Sequence, residues 1–321
     1  MSQIDHYLTA DDLAASLRRD VRAGLTSTPK VLPPKYFYDG RGSELFEHIT
    51  RLPEYYQTRA EATILGERAD DIADLTKART LVELGSGSSQ KTHLLLRALR
   101  QVGSLETYVP VDVSEDAIAR AMPGLVAEYP GLEVHGIVAD FERHLERLPQ
   151  GGPRLVAFLG GTIGNFEPAQ RAAFLSALGG TLEPGDALLL GTDLVKDPDR
   201  LVRAYDDADG VTAAFNRNVL TVLDRELKAD FDPDAFEHVA LWDAQHEWIE
   251  MRLRSRVDQV VTVVELDLQV PFAAGEDLRT EVSAKFRREG VEQELAAAGL
   301  AMTHWWTDPA GDFGVSLSVR G

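Results

Sequence analysis

LVELGSGSSQKT, residues 81–92, is an apolar run that passes directly into a Gly-Ser-Gly turn and then into a stretch with helical spacing. A buried strand feeding a glycine turn and a helix is the start of a βαβ unit, and the turn lets a ligand come close to the backbone. Working outward, short runs rich in Val and Leu recur as TLVELG (80–85), TYVPVDV (107–113), LEVHGIVAD (132–140), RLVAFLG (154–160) and ALLLGTDLV (187–195). Such runs suit strands buried on both faces of a parallel sheet. Between them lie KTHLLLRALRQV, SEDAIARAMPGLVAEY and PAQRAAFLSALGGTL, each compatible with a helix. The alternation predicts an α/β fold with a doubly wound sheet. Near the C-terminal end, VEQELAAAGL reads as a helix. After it, Phe313, Val315, Leu317 and Val319 alternate with Gly314, Ser316, Ser318 and Arg320, a period of two expected for a last strand with two different faces.

Residues 1–60 and 197–286 do not continue the sheet pattern. The second of these contains IEMRLR (249–254) and VVTVVELDLQV (260–270), both β-like, and is expected to form an appended α/β unit together with the first. An insertion after the fifth strand falls near the carboxyl edge of the sheet, where ligands of such folds bind.

Composition narrows the function. The 321 residues carry 52 acidic against 33 basic side chains, a net charge of −19, which would repel a phosphate backbone, so nucleic acid is a poor partner candidate and none is expected. The N-terminal stretch lacks a basic region followed by an apolar one, and no run approaches the ~20 apolar residues of a membrane span, so a cytoplasmic protein without a membrane partner is expected. With no cysteine, a thiolate nucleophile, disulfides and cysteine-held metals are excluded. The eight histidines show no metal-ligand spacing, and no metal is expected.

The glycine turn can hold a dinucleotide or S-adenosylmethionine, since both lay an adenosine across the strand ends. Gly85 and Gly87 are followed by Gln90 where a GxGxxG motif would have its third glycine, which weighs against a redox cofactor. Ser86 lies between the two glycines. Asp112, at the end of the second strand, can accept hydrogen bonds from both ribose hydroxyls. Asp140 and Phe141, after the third, offer a carboxylate and a ring face for adenine. Lys91 can meet a cofactor carboxylate. The structural alternatives are a plain strand-to-helix turn, Asp112 as the cap of the helix beginning near Ser114, a core Phe141 and an exposed Lys91. Their occurrence at successive strand ends favours an adenosine-containing ligand.

PPKYFYDGRGSELFEHITRLPEYYQTRAEATIL (33–65), VELGSGSSQKT, FLGGTIGNF (158–166), GTDLVKDPDRLVRAYDDADGVTAAFNRNVL (191–220), TEVSAKF (280–286) and HWWTDPAGDFG (304–314) form an ordered set over almost the whole chain. In them the chain resembles the histidine-specific methyltransferases of ergothioneine biosynthesis. The resemblance implies a class I Rossmann-like methyltransferase sheet, residues 61–196 plus 287–321, and a smaller α/β histidine-binding domain, residues 1–60 plus 197–286. It implies S-adenosylmethionine as co-substrate, free L-histidine as substrate and a monomer. By motif, Asn165 resembles the residue that orients the substrate amine, and Tyr55 and Tyr205 the tyrosines that hold the substrate carboxylate. Glu281 and Ser283 resemble the pair that recognises the imidazole. Met251 and Phe46 resemble pocket walls, and Tyr38 and Thr212 polar residues near the reacting amine. Gly161 departs from the family, which commonly has Ser there. The alternatives are methylation of another amino acid or small amine, a sensor of S-adenosylmethionine that lost turnover, and a nicotinamide oxidoreductase.

Overall fold

A computed structural model describes residues 2–87 and 91–321; Gln90, on which the argument against a redox cofactor turned, lies outside the described residues. The chain divides into two compact units, the first Met1–Leu8, Gln57–Val195 and Lys285–Gly321, the second Thr9–Tyr56 and Lys196–Ala284. The first unit holds β1 (Ser2–His6), β3 (Thr80–Leu84), β4 (Thr107–Asp112), β5 (Glu133–Val138), β6 (Arg154–Phe158), β7 (Ala187–Asp193), β13 (Leu300–Thr307) and β14 (Phe313–Arg320). The second holds β2 (Lys30–Val31), β8 (Phe236–Asp243), β9 (Trp248–Ser255), β10 (Gln259–Val263), β11 (Leu268–Phe272) and β12 (Asp277–Ala284). Helices α3 (Gln57–Thr76), α4 (Thr92–Val102), α5 (Glu115–Glu128), α6 (Pro168–Thr181) and α9 (Arg288–Ala297) belong to the first unit, and α1 (Ala10–Thr26), α2 (Gly40–Ile49), α7 (Pro198–Tyr205) and α8 (Val211–Leu227) to the second.

The first unit is an eight-stranded sheet in the order β1-β5-β4-β3-β6-β7-β14-β13. The strands from β1 to β7 in that order run parallel, β14 is antiparallel to β7, and β13, antiparallel to β14, runs with the parallel set again. The order reverses between β3 and β6, so the crevice beyond their carboxyl ends is the place where a doubly wound sheet binds its ligand. The local causes are conventional. Leu95, Leu96, Ala98 and Leu99 of α4 are buried, and the helix stops at Gly103 in the left-handed region, φ 80°. Helix α5 starts where the Ser114 hydroxyl accepts a hydrogen bond from Ala117 N at 3.2 Å.

Three expectations are corrected here. Ser2–His6, assigned with residues 1–60 to the second domain, instead pairs with β5 from Ser2↔Val134 to His6↔Val138; with Ile4 its one large apolar residue, it shows no alternation to read. Lys285 and Phe286 go with the first unit, because Lys285 forms a buried 3.0 Å ion pair with Asp193 and Phe286 N donates to Asp193 O at 2.8 Å. Gln57 completes this group, its Nε2 donating to the same Asp193 carboxylate at 3.3 Å. The third is Lys196, expected in the first domain, which goes with the second unit. Strand β14 is the expected last strand with two different faces, Val315 and Leu317 on one and Ser316 and Ser318 on the other, both of them covered. It lies between β7 and β13 rather than at an edge, and neither serine Oγ finds a hydrogen-bond partner among the described residues.

In the second unit a four-stranded sheet, β2-β12-β9-β8, packs with α8 over a core that includes Phe37, Phe215, Val219, Leu220, Phe236 and Leu253. Strands β10 and β11 form a separate hairpin. Among the described residues no helix is long and apolar enough to cross a membrane.

Candidate active site

Strand β3 ends in Gly85 and Gly87 at φ 71° and 48°, where a Cβ carries a steric cost. The turn is held by Gly85 N and Ser86 N, which donate to Val111 O at 2.8 and 3.2 Å. One oxygen of Asp112 accepts from Gly87 N at 3.0 Å and the other from Ser114 N at 2.9 Å. The cap of α5 is therefore Ser114 itself, and Asp112 instead ties the glycine turn to the end of β4. Burial pushes the Asp112 carboxyl up, against the backbone donors of Ser114, Gly87 and Val113 that lower it. Phe141 lies edge-on to Phe158 and Phe174, with centroids 5.4 and 6.0 Å apart. A Cβ on Gly85 would stand 3.8 Å from the Phe141 ring, and one on Gly87 would meet nothing within 4 Å. Buried Asp140 accepts from Glu142 N at 3.0 Å. The strand ends thus gather Gly85, Gly87, Asp112 and Phe141, with the Phe141 ring against Gly85 and open space at Gly87 among the described residues, which fits an adenosine-containing ligand.

Lys91, the residue before α4, is ion-paired with Glu61 of α3. Glu61 has no exposed surface, and its other oxygen accepts from Gly160 N at 2.8 Å. Glu83, on β3, accepts from the hydroxyls of Thr92 and Tyr108, both at 2.5 Å. Desolvation raises its carboxyl to about 7, although both hydroxyls and nearby Lys91 lower it. Neither acid was among the expected site residues. The available signal was charge in an apolar setting: Glu61 stands one residue after Ala60 and three before Ile64 on the buried side of α3, and Glu83 interrupts the run Leu81, Val82, Leu84.

After β6 the chain turns through Gly160 and Gly161, φ 79° and 70°, into a single 3-10 turn, Thr162–Asn165. Asn165 is its last residue and is half-buried. The backbone at Gly161 is left-handed, so a serine there would be strained although a Cβ would meet its nearest atom, on Phe313, at 3.6 Å.

In the second unit the expected pocket residues form an aromatic series. Tyr38 lies edge-on to Phe46 (5.5 Å) and Phe215 (5.6 Å), Phe46 to Tyr55 (6.1 Å), and Tyr55 to Tyr205 (6.4 Å). The Tyr205 and Ser283 hydroxyls are hydrogen-bonded at 2.7 Å. The TEVS segment is extended, in β12, with a bulge between Arg279 and Glu281. Beyond the bulge Glu281 and Ser283 share a face, and Glu281 stands opposite buried Met251 on β9. Thr212 is buried in the first turn of α8, its amide donating to Asp207 at 2.7 Å.

Behind this surface is a buried network that sequence did not single out. Asn216 Nδ2 donates to His238 Nδ1 at 2.8 Å, and a carbonyl can only accept, so His238 donates from Nε2 to Tyr205 O at 2.8 Å. The ring is thereby the neutral Nε2–H tautomer, and desolvation lowers its pKa. Asn216 Oδ1 accepts from the Thr280 hydroxyl at 2.6 Å, joining α8 to β12 one residue before Glu281.

The fold is that of the Rossmann-like methyltransferases, and the match to a family of S-adenosylmethionine-dependent enzymes puts the chain in that class. Within it, residues 17–320 match the family described as histidine-specific, S-adenosylmethionine-dependent methyltransferases, and the chain belongs to that family. It is 62% identical over 315 residues to the histidine N-alpha-methyltransferase of Mycolicibacterium smegmatis, covering 98% of both chains. It is 58% identical over 317 residues to the protein of that name from Mycobacterium tuberculosis, covering 99% of both. It is also 30% identical over 299 residues to ergothioneine biosynthesis protein 1 of Neurospora crassa, covering 91% of this chain and 33% of that one.

Proposed function

We propose that the chain transfers three methyl groups in succession to the α-amino nitrogen of free L-histidine, yielding hercynine and S-adenosylhomocysteine, the first step of ergothioneine biosynthesis. The observation that carries this is the match across residues 17–320 to a family specific for histidine. S-adenosylmethionine, when bound, supplies an electrophilic methyl group on a sulfonium. The protein's task is then to present an unprotonated amine in line with it. Positioning of this kind lowers a barrier by roughly 7 to 11 kcal/mol without a metal or a covalent intermediate.

Asp112 binds the ribose hydroxyls, Asp140 and Phe141 receive the adenine, and Lys91 meets the cofactor carboxylate. The Asn165 side-chain oxygen accepts from the substrate amine. An amide suits this place, since a carboxylate would favour the protonated, unreactive ammonium. Tyr55 and Tyr205 donate to the substrate carboxylate, and Glu281 and Ser283 satisfy the two imidazole nitrogens. Phe46 and Met251 close the apolar sides, with Thr212 near the amine. Tyr38, 37% exposed, passes the released proton to solvent. The assembly acts as a monomer.

Mass spectrometry of products from S-adenosylmethionine and an equal mixture of free amino acids tests this. Trimethylhistidine as the dominant product is expected. Methylation of a different amine would remove the histidine pocket, and no product would remove catalysis.

A further inference from the structure

Glu61 is a charged side chain on the buried face of α3, and a carboxylate there carries a desolvation cost of several kcal/mol unless each oxygen is matched. Each is: Oε1 by Gly160 N at 2.8 Å, Oε2 by the Lys91 ammonium. The strand opposite is shaped for it. A Cβ on Gly191 of β7 would stand 2.2 Å from Glu61 Oε1 and 3.1 Å from the Phe313 ring, so glycine at 191 is what admits the carboxylate. Its two partners lead to different parts of the reaction. Lys91 opens α4 and keeps 24% of its side chain exposed, whereas Gly160 begins the turn that ends in Asn165.

We propose that Glu61 is a positioning residue that holds the cofactor-binding ammonium of Lys91 and the start of the Asn165 turn in one register, so that donor and amine are aligned through a single buried carboxylate. This rests on the roles given above to Lys91 and Asn165. Removing the charge leaves the ammonium without its anchor, and displacing the carboxylate moves both partners together.

The test is calorimetric binding of S-adenosylhomocysteine, with kcat and KM for histidine, on full-length wild type, Glu61→Gln, Gly191→Ala, Lys91→Met and the Glu61→Gln/Lys91→Met double variant. Glu61→Gln and Lys91→Met should each weaken binding by at least about fivefold, with the double variant close to Lys91→Met alone, because both remove one coupled contact. Gly191→Ala keeps every charge and should reproduce the weakened binding and lower kcat. If Glu61→Gln does not fold, Gly191→Ala against wild type decides. Wild-type binding in both Glu61→Gln and Gly191→Ala, or additive losses in the double variant, would overturn the proposal. Binding of S-adenosylhomocysteine is read without turnover, so a wild type that makes no methylhistidine would count against the proposed reaction and leave the coupling measurement intact.

Discussion

Replacing Glu83 with Gln should make the protein more stable at alkaline pH and change little in acid. The carboxyl is raised from 4.5 to about 7, with burial as the largest cause. At ~1.4 kcal/mol per unit, the folded state prefers the protonated acid by about 3 kcal/mol. Because the folded pKa lies above the unfolded one, this contribution is fully present below pH 4.5 and is lost as pH rises through about 7. The amide offers an acceptor oxygen to one hydroxyl and N–H donors to the other, as the neutral acid offers a carbonyl and an O–H, so Thr92 and Tyr108 keep partners once one hydroxyl turns to accept. Urea unfolding of wild type and Glu83→Gln from pH 5 to pH 8 measures the difference, with other titrating groups cancelling. The variant should gain about 2–3 kcal/mol on the wild type between pH 5 and pH 8. A difference constant across pH would refute the reasoning. A wild type that gains on the variant with rising pH would mean that Lys91 holds the carboxylate ionised.

Tyr205→Phe removes the hydroxyl bonded to Ser283 and a donor assigned to the substrate carboxylate; kcat/KM for histidine should fall about 10- to 100-fold, as for a hydrogen bond to a charged group, with cofactor affinity unchanged in a binding assay. Arg154→Met leaves Asp186 Oδ2 buried without the guanidinium whose Nε and Nη2 both donate to it, and chemical denaturation should show a loss of about 3–5 kcal/mol. Gly161→Ser places a Cβ in left-handed backbone and should cost about 1–2 kcal/mol in unfolding experiments while methylation persists.

Legibility followed periodicity. The five strands from β3 to β7 were readable because each is buried on both faces, and the Gly85, Gly87, Asp112 and Phe141 cluster because strand ends in such a sheet must meet. Strand β13 was not, since its run LAMTHWWT mixes half-exposed aromatics with polar residues at the edge of the sheet. The second unit's candidates came through resemblance alone. Tyr205 and Ser283 are far apart in the chain, and no local spacing encodes that their hydroxyls touch. The Asn216, His238 and Thr280 network is equally silent, because a lone histidine in a strand reads the same whether it is a satisfied core residue or not.

The buried carboxylate of Asp193 bears on the order in which the chain assembles. The second unit is made of two segments, Thr9–Tyr56 and Lys196–Ala284, with Gln57–Val195 threaded between them. Closing a loop of well over a hundred residues carries an entropic penalty of about 4 kcal/mol. Asp193 gathers Gln57 and Lys285, so once the first unit has folded, three of the points where the chain leaves it are already held together. The two segments then start their own folding as neighbours. The entropy of a long loop is thus met once, when Lys285 docks beside Asp193 and closes Lys196–Ala284, and the second unit then forms without a further long closure.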